Sequence, residues 1–207
     1  LNASGGNSWE GYINLQAING AYSLSVNTGD WANFFGVVGA TTPLASLTVT
    51  GGPIWIHSNV STTGNQSYTF WRLELITAST LSTTTGNITI AAEVGSAGST
   101  PLNLSLNAGT GAININSSIG TYGTGIGAFS ATAAAGINIG NNISTKGIQS
   151  YNGPINLLGD ININSTYDGG TGAQISFAST INGNAAGRGL TVNAGTGLLS
   201  LTGAVGG

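Results

Sequence analysis

The chain is expected to fold as an all-β solenoid, a stack of parallel strand circuits, and three observations lead to that expectation. The first is a long repeat. Leu104 to Gly111 (LSLNAGTG) returns as Leu190 to Gly197 (LTVNAGTG) and more loosely as Leu24 to Gly29 (LSVNTG). A second marker, Asn59 to Tyr68 (NVSTTGNQSY), comes back 83 residues later as Asn142 to Tyr151 (NISTKGIQSY). A period of this length marks an array in which each unit buries its apolar face on its neighbour. The second observation is a finer rhythm: Gly86, Gly111 and Gly136 lie 25 residues apart, as do Gly172 and Gly197, and each introduces a short string of alternating apolar residues. Each step fits one circuit of short strands with corners of Gly, Asn, Ser and Thr. The third is composition. Abundant Gly, Asn, Ser and Thr oppose helix at nearly every position, and no apolar spacing of three and four residues is sustained over three turns.

The rival fold is a tandem pair of antiparallel β-sandwich domains, for which an 83-residue period is also a natural length. The 25-residue rhythm decides for the solenoid, with roughly eight to ten circuits rising about 4.8 Å each. The whole chain, 1–207, reads as one segment of about two and a half repeats. Residues 1–85 are its aromatic-rich part and 86–207 its regular Gly-x-Ile-x-Ile part. Function is therefore sought on a surface rather than in a pocket.

Taken in order, Tyr12 to Leu15 and Tyr22 to Val26 are strand-like strings separated by the turn dipeptide Asn19-Gly20. Leu47 and Val49 alternate with Ser46, Thr48 and Thr50, as in a half-buried strand. Ile54 and Ile56 flank Trp55. From Tyr68 to Ile76 the alternation places Phe70, Arg72 and Glu74 on one face and Trp71, Leu73 and Leu75 on the other, and the cost of burying charge turns the Arg72/Glu74 face outward. The Ser/Thr tract from Ser79 to Thr85 suits a solvated strand or a polar turn. Beyond Gly86 the expected core comprises Ile88, Ile90, Leu104, Leu106, Ile113, Ile115, Ile137, Ile139, Ile161, Ile163, Ile175, Phe177, Leu190, Val192, Leu199 and Leu201. Each pair is separated by one residue whose side chain must then face out.

Composition narrows the function. Six acidic and three basic residues give a net charge of −3, far below the roughly one quarter of charged positions in an ordinary domain. There is no basic stripe to neutralise phosphates, so nucleic acid is not an expected partner. No apolar run reaches the roughly 18 residues of a membrane span. With no cysteine there is neither a disulfide scaffold nor a thiolate metal site, as suits a large exported protein.

The strings Phe35 to Val49 (FGVVGATTPLASLTV) and Leu190 to Gly207 (LTVNAGTGLLSLTGAVGG) resemble the repeats of very large bacterial surface exoproteins, the filamentous-haemagglutinin-like and β-strand-repeat adhesins. The resemblance rests on composition and rhythm across most of the chain. It implies a right-handed parallel β-helix, export to the cell surface, and a role in adhesion or in an extracellular fibre. It implies no catalytic residues.

Candidate sites are few. His57 is the only histidine and is expected at a surface or corner. Glu10, Asp30, Glu74, Glu93, Asp160 and Asp168 are scattered, without the close pair that glycoside hydrolysis needs, so no enzyme, cofactor or metal is expected. Asp168 to Gly172 reads as a plain turn rather than a calcium loop. Of eight Asn-x-Ser/Thr sequons, only Asn59 and Asn142, which share one repeat position, stand out as candidates for N-glycosylation. Trp9, Trp31, Trp55 and Trp71 are expected as core fillers or an end cover. Their alternative is a sugar-stacking platform.

The expected function is structural, a segment of a secreted or cell-surface fibre or adhesin stalk that extends and presents. A glycan- or receptor-binding adhesin module using the aromatic-rich first third is the alternative, and a polysaccharide-active β-helix enzyme the distant one. Gly203 to Gly207 matches Gly36 to Ala40 by repeat position, so both ends are expected to be continued by flanking repeats or by further copies stacked end to end.

Overall fold

The computed structural model describes residues 2–3 and 11–206. It is a parallel β-solenoid of about eight turns, and every strand pairing in it is parallel. The antiparallel sandwich is thereby excluded. The strands form three sheets, of nine, nine and seven strands, visited in rotation by the chain. In one turn, Ile88–Ile90 lies in the first sheet, Glu93–Ser96 in the second and Leu102–Asn107 in the third. The next strand, Ala112–Ile115, returns to the first sheet, on top of Ile88–Ile90.

Stacking is governed by the alternation read in the sequence. Ile88, Ile113, Ile137, Ile155 and Ile181 fall in one register column, and Ile90, Ile115, Ile139 and Leu157 in another. All of these are buried. Burying one such side chain contributes about 1.5–3 kcal/mol, and each coil covers its neighbour's column. In the third sheet Tyr151 stacks on Phe177 with ring centroids 4.9 Å apart and an interplanar angle of 11°.

The expected core holds from Ile88 to Phe177 and loosens beyond. Leu190 and Val192 are only partly buried, and Leu199 and Leu201 are exposed. The reason is topological: among the described residues Leu190–Asn193 and Leu199–Leu201 are the last strands of their sheets, so each is covered there on one side only. The Ser79–Thr83 tract also departs from expectation, since Ser79 and Thr83 point inward with Leu81. Their hydroxyls bond to main-chain carbonyls, Ser79 Oγ to Thr77 O at 3.0 Å and Thr83 Oγ1 to Gly86 O at 2.5 Å, which removes the penalty of a buried hydroxyl.

The long repeat is out of phase with the coil. Starting from Ser23–Thr28, which contains Asn27, the first sheet rises through Ser46–Gly51 and Gln66–Thr69 to Ile88–Ile90, and two further strands lead to Leu102–Asn107, which contains Asn107. That is three turns and two strands, eleven strand positions once the third-sheet position between Ala32–Phe34 and Ser46–Gly51, held only by the single bridges of Val38 and Leu44, is counted. The same interval separates Leu102–Asn107 from Leu190–Asn193, and Gln66–Thr69 from Gln149–Asn152. Eleven is one short of twelve, so each copy of a marker sits on a different face of the rod.

Two of the three corners are built from the same turn, which is what permits this. At Asn107-Ala108-Gly109-Thr110-Gly111, Asn107 Oδ1 accepts from Gly109 N at 3.1 Å, Gly109 has φ +55°, and Gly111 N donates to Ala108 O at 2.8 Å. At Asn193 to Gly197 the corresponding values are 3.0 Å, +57° and 2.8 Å. The first turn leads from the third sheet to the first and the other from the second to the third. Glycine is required at Gly109 because a Cβ there would lie 2.2 Å from Thr84 O, in a left-handed backbone.

Candidate functional site

Most of the rod's outside is a set of uncharged ladders. On the first sheet Thr89, Asn114, Asn138, Asn156 and Asn182 stack in register. Asn114 Nδ2 donates to Thr89 Oγ1 at 3.3 Å, Asn138 Nδ2 to Asn114 Oδ1 at 2.7 Å, and Asn156 Nδ2 to Asn138 Oδ1 at 3.2 Å. On the third sheet Ser105, Ser130, Ser150, Ser176 and Ser200 likewise stack in register, and Ser130 Oγ lies 2.8 Å from Ser105 Oγ. A shallow groove along that face is lined by Thr80, Ser105, Ser130, Ser150 and Ile148 among others, with no titratable side chain.

The second sheet is different. Its outward column begins with Asn14 and Asn33, whose Nδ2 donates to Asn14 Oδ1 at 2.6 Å, and then changes to Trp55 and Glu74. Ile54 and Ile56 point into the core on either side of Trp55, so strand alternation directs the indole outward. Trp31 meets it edge to face with centroids 4.5 Å apart. Phe35 and His57 pair at 4.5 Å beside them, and His57 lies 6.3 Å from Trp55. Trp31 and Trp55 are half-buried on the exterior rather than filling the core or covering an end.

One coil further, a charged group is built in. Arg72 Nη1 pairs with Glu74 Oε1 at 2.6 Å and also donates to the Tyr122 hydroxyl. The guanidinium is held between two rings, 3.9 Å from the Trp71 centroid and 4.1 Å from that of Tyr122. Tyr122 arrives there through a bulge: Val94 pairs with Ile119, but Gly95 pairs with Tyr122. A Cβ on Gly95 would lie 2.3 Å from Tyr122 O, so only glycine admits the approach. Glu74 does face outward as expected, yet it is 6% exposed, because Tyr122, inserted from a distant coil, helps to cover the ion pair. Trp71 is 53% exposed in the corner just before the strand, not opposite Arg72 within it. Glu93 completes the patch, accepting from Thr121 Oγ1 at 2.6 Å.

The sequence candidates are thus partly brought together. Trp31, Trp55, His57, Trp71, Arg72 and Glu74 share the second sheet's outer surface, joined by Phe35 and Tyr122, which sequence reasoning did not single out. Trp9 lies outside the described residues. Burial lowers the pKa of His57 from its usual value, which favours the neutral imidazole. No cluster of three His, Cys, Asp or Glu side chains able to hold a metal ion exists among the described residues, and no helix among them is long and apolar enough to cross a membrane.

Asn59 and Asn142 are exposed and share a structural duty. Asn59 Oδ1 accepts from Thr80 N and Asn142 Oδ1 from Asn162 N, both at 2.8 Å. Each side chain ties its corner to the coil above, on different corners of the rod. Asp168 lies in the exposed turn Tyr167–Gly169 with φ 57° and pairs with Lys146 at 3.3 Å.

Sequence reasoning missed a buried device. Gln66 Nε2 donates to Ser82 O at 2.7 Å and its Oε1 accepts from the Tyr68 hydroxyl at 2.9 Å. Gln149 repeats this with Asn164 O at 2.8 Å and Tyr151 at 2.6 Å. The signal was present in the shared QSY of the second marker. Comparison with protein-family models, with curated proteins and with solved structures yields no match to this chain.

Proposed function

We propose that the chain is a structural segment of a secreted or cell-surface fibrous protein, a rod that extends and presents. The observation that carries this reading is the interchangeability of its corners. One turn cassette, Asn-Ala-Gly-Thr-Gly, serves two corners with the same bonds, so the array can be lengthened without redesign. A solenoid in which every coil buries only its neighbours gains length linearly.

The outer surface supports the same role. Its ladders are uncharged amides and hydroxyls, which are insensitive to ionic strength and suit an environment of varying salt. Absence of cysteine removes the risk of disulfide trapping during export, and the resemblance to large surface exoproteins points the same way.

The reading is tested on intact cells that produce the parent protein. Antibody against this segment is expected to label unpermeabilised cells, and external protease to remove the label. Labelling only after permeabilisation would contradict it.

A further inference from the structure

Eleven strand positions on, the column Asn14–Asn33–Trp55–Glu74 corresponds to Thr89–Asn114–Asn138–Asn156. In the second copy the amide ladder is closed from Thr89 to Asn156. In the first it stops after one rung, because Trp55 stands where Asn138 would donate to Asn114. The consequence is local and complete. Asn33 Oδ1, the atom equivalent to the satisfied Asn114 Oδ1, has no partner although Asn33 is only 5% exposed. The other buried side-chain polar atoms without a partner among the described residues are Trp55 Nε1, His57 Nε2 and Arg72 Nε. All four lie on this one face.

Orphaned polar atoms oppose folding, and the rod shows everywhere else how to avoid them. We propose that the interruption at Trp55 is a carbohydrate-binding site, and that its ligand is a neutral pyranose ring of a polysaccharide. A sugar ring offers what the face lacks. Its hydroxyls both donate and accept, matching the acceptor Asn33 Oδ1 and the donor Trp55 Nε1, with neutral His57 Nε2 able to take either part. Its C–H face stacks on indole, which Trp31 and Trp55 supply. Charge selects against polyanions: Arg72 is consumed by Glu74 and held by Trp71 and Tyr122, and Glu93 leaves the patch acidic. Entry displaces the ring of Phe35 from His57 and swings that of Trp31 off its edge-to-face contact with Trp55 so that both indoles flank the sugar; both rings are themselves partly exposed. This goes beyond the structural role and stands or falls separately from it.

The discriminating variant is Trp55→Asn, which restores the ladder of the second copy. Affinity electrophoresis in gels containing soluble β-1,4-glucan, β-1,3-glucan, chitin oligomers or α-mannan, with polygalacturonate as the anionic control, reads binding directly. The wild type is expected to be retarded by at least one neutral glycan and not by polygalacturonate. Trp55→Asn should lose that retardation at least tenfold while melting no lower than the wild type, and Trp55→Phe, which keeps a ring and loses the N–H, should weaken it severalfold. Retardation by none of the neutral glycans, retardation by polygalacturonate alone, or unchanged retardation of Trp55→Asn would each overturn the site. If Trp55→Asn fails to fold, Trp55→Phe and Trp31→Ala decide, and unchanged binding in both overturns it equally.

Discussion

Gln66 and Gln149 hold the same buried corner on two different sheets. Each bonds a carbonyl of the following turn and receives a tyrosine hydroxyl two residues along, and each is followed by a different face of the rod. Replacing Gln149 by leucine leaves the buried Tyr151 hydroxyl without its partner, whereas the Asn164 carbonyl keeps the bond from Thr145 N at 2.8 Å, and one buried orphan costs about 1–3 kcal/mol. Urea denaturation should show a loss of about 1–3 kcal/mol for Q149L. Adding Tyr151→Phe should return at least about 1 kcal/mol of it, because removing both partners of a bond is far milder than removing one. A double variant less stable than Q149L would contradict the network.

The same tyrosines set the alkaline limit. Burial raises the pKa of Tyr68 and Tyr151 well above the usual phenol value. Above about pH 10 the unfolded chain releases these protons and the folded one keeps them, so stability present below pH 10 is lost as pH rises. Each contributes a slope of about 1.4 kcal/mol per pH unit. Unfolding midpoints between pH 9 and 11 should therefore fall steeply, and the Y68F/Y151F variant should fall less steeply. His57 acts in the opposite sense: its lowered folded pKa means that stability present above its ordinary value is lost as pH falls.

Corner asparagines should be separable into acceptor and donor roles. Asn142 Oδ1 accepts Asn162 N, and Asp160 already does the equivalent with Gly189 N at 2.9 Å. Asn142→Ala is expected to cost about 0.5–1.5 kcal/mol and Asn142→Asp close to nothing, measured by thermal unfolding at neutral pH. Equal losses in both would show that the oxygen is not what matters.

Two glycines give a contrast. A Cβ at Gly109 would meet Thr84 O at 2.2 Å in a left-handed conformation, whereas at Gly29 it would meet nothing within 4 Å. Gly109→Ala should destabilise by more than about 1 kcal/mol and Gly29→Ala by less than about 0.5 kcal/mol. A reversed order would contradict the corner geometry.

Much of this was legible in the sequence because it is a matter of spacing. Ile113-Asn114-Ile115 and the glycines at 25-residue intervals fix the strand, its inward face and the coil length together. Legibility failed where a distant coil intervenes. Nothing near Glu74 announces that Tyr122 will bulge across Gly95 to cover it, and nothing near Leu199 and Leu201 announces that theirs is the last strand of its sheet among the described residues. The tryptophans illustrate the same limit. Alternation between Ile54 and Ile56 already directs Trp55 outward, but its meaning depends on Asn33, a coil away, being left without a rung. The repeat itself misled in one respect: equal sequence suggests equal position, whereas eleven strands around a three-sided coil move every copy to another face.

That displacement is the central claim, and the chain's lack of cysteine allows a clean test by disulfide cross-linking. Ser67 and Ser150 are equivalent in the repeat, but Ser67 pairs with Thr89 on the first sheet and Ser150 with Ser176 on the third. Neighbouring parallel strands lie about 4.8 Å apart, within the reach of a disulfide. Mild oxidation should cross-link Ser150→Cys with Ser176→Cys as efficiently as Ser67→Cys with Thr89→Cys. It should fail between Ser150→Cys and Asn138→Cys, since Asn138 belongs to the first sheet. Cross-linking of Ser150→Cys to Asn138→Cys and not to Ser176→Cys would place both copies on one face and contradict the account.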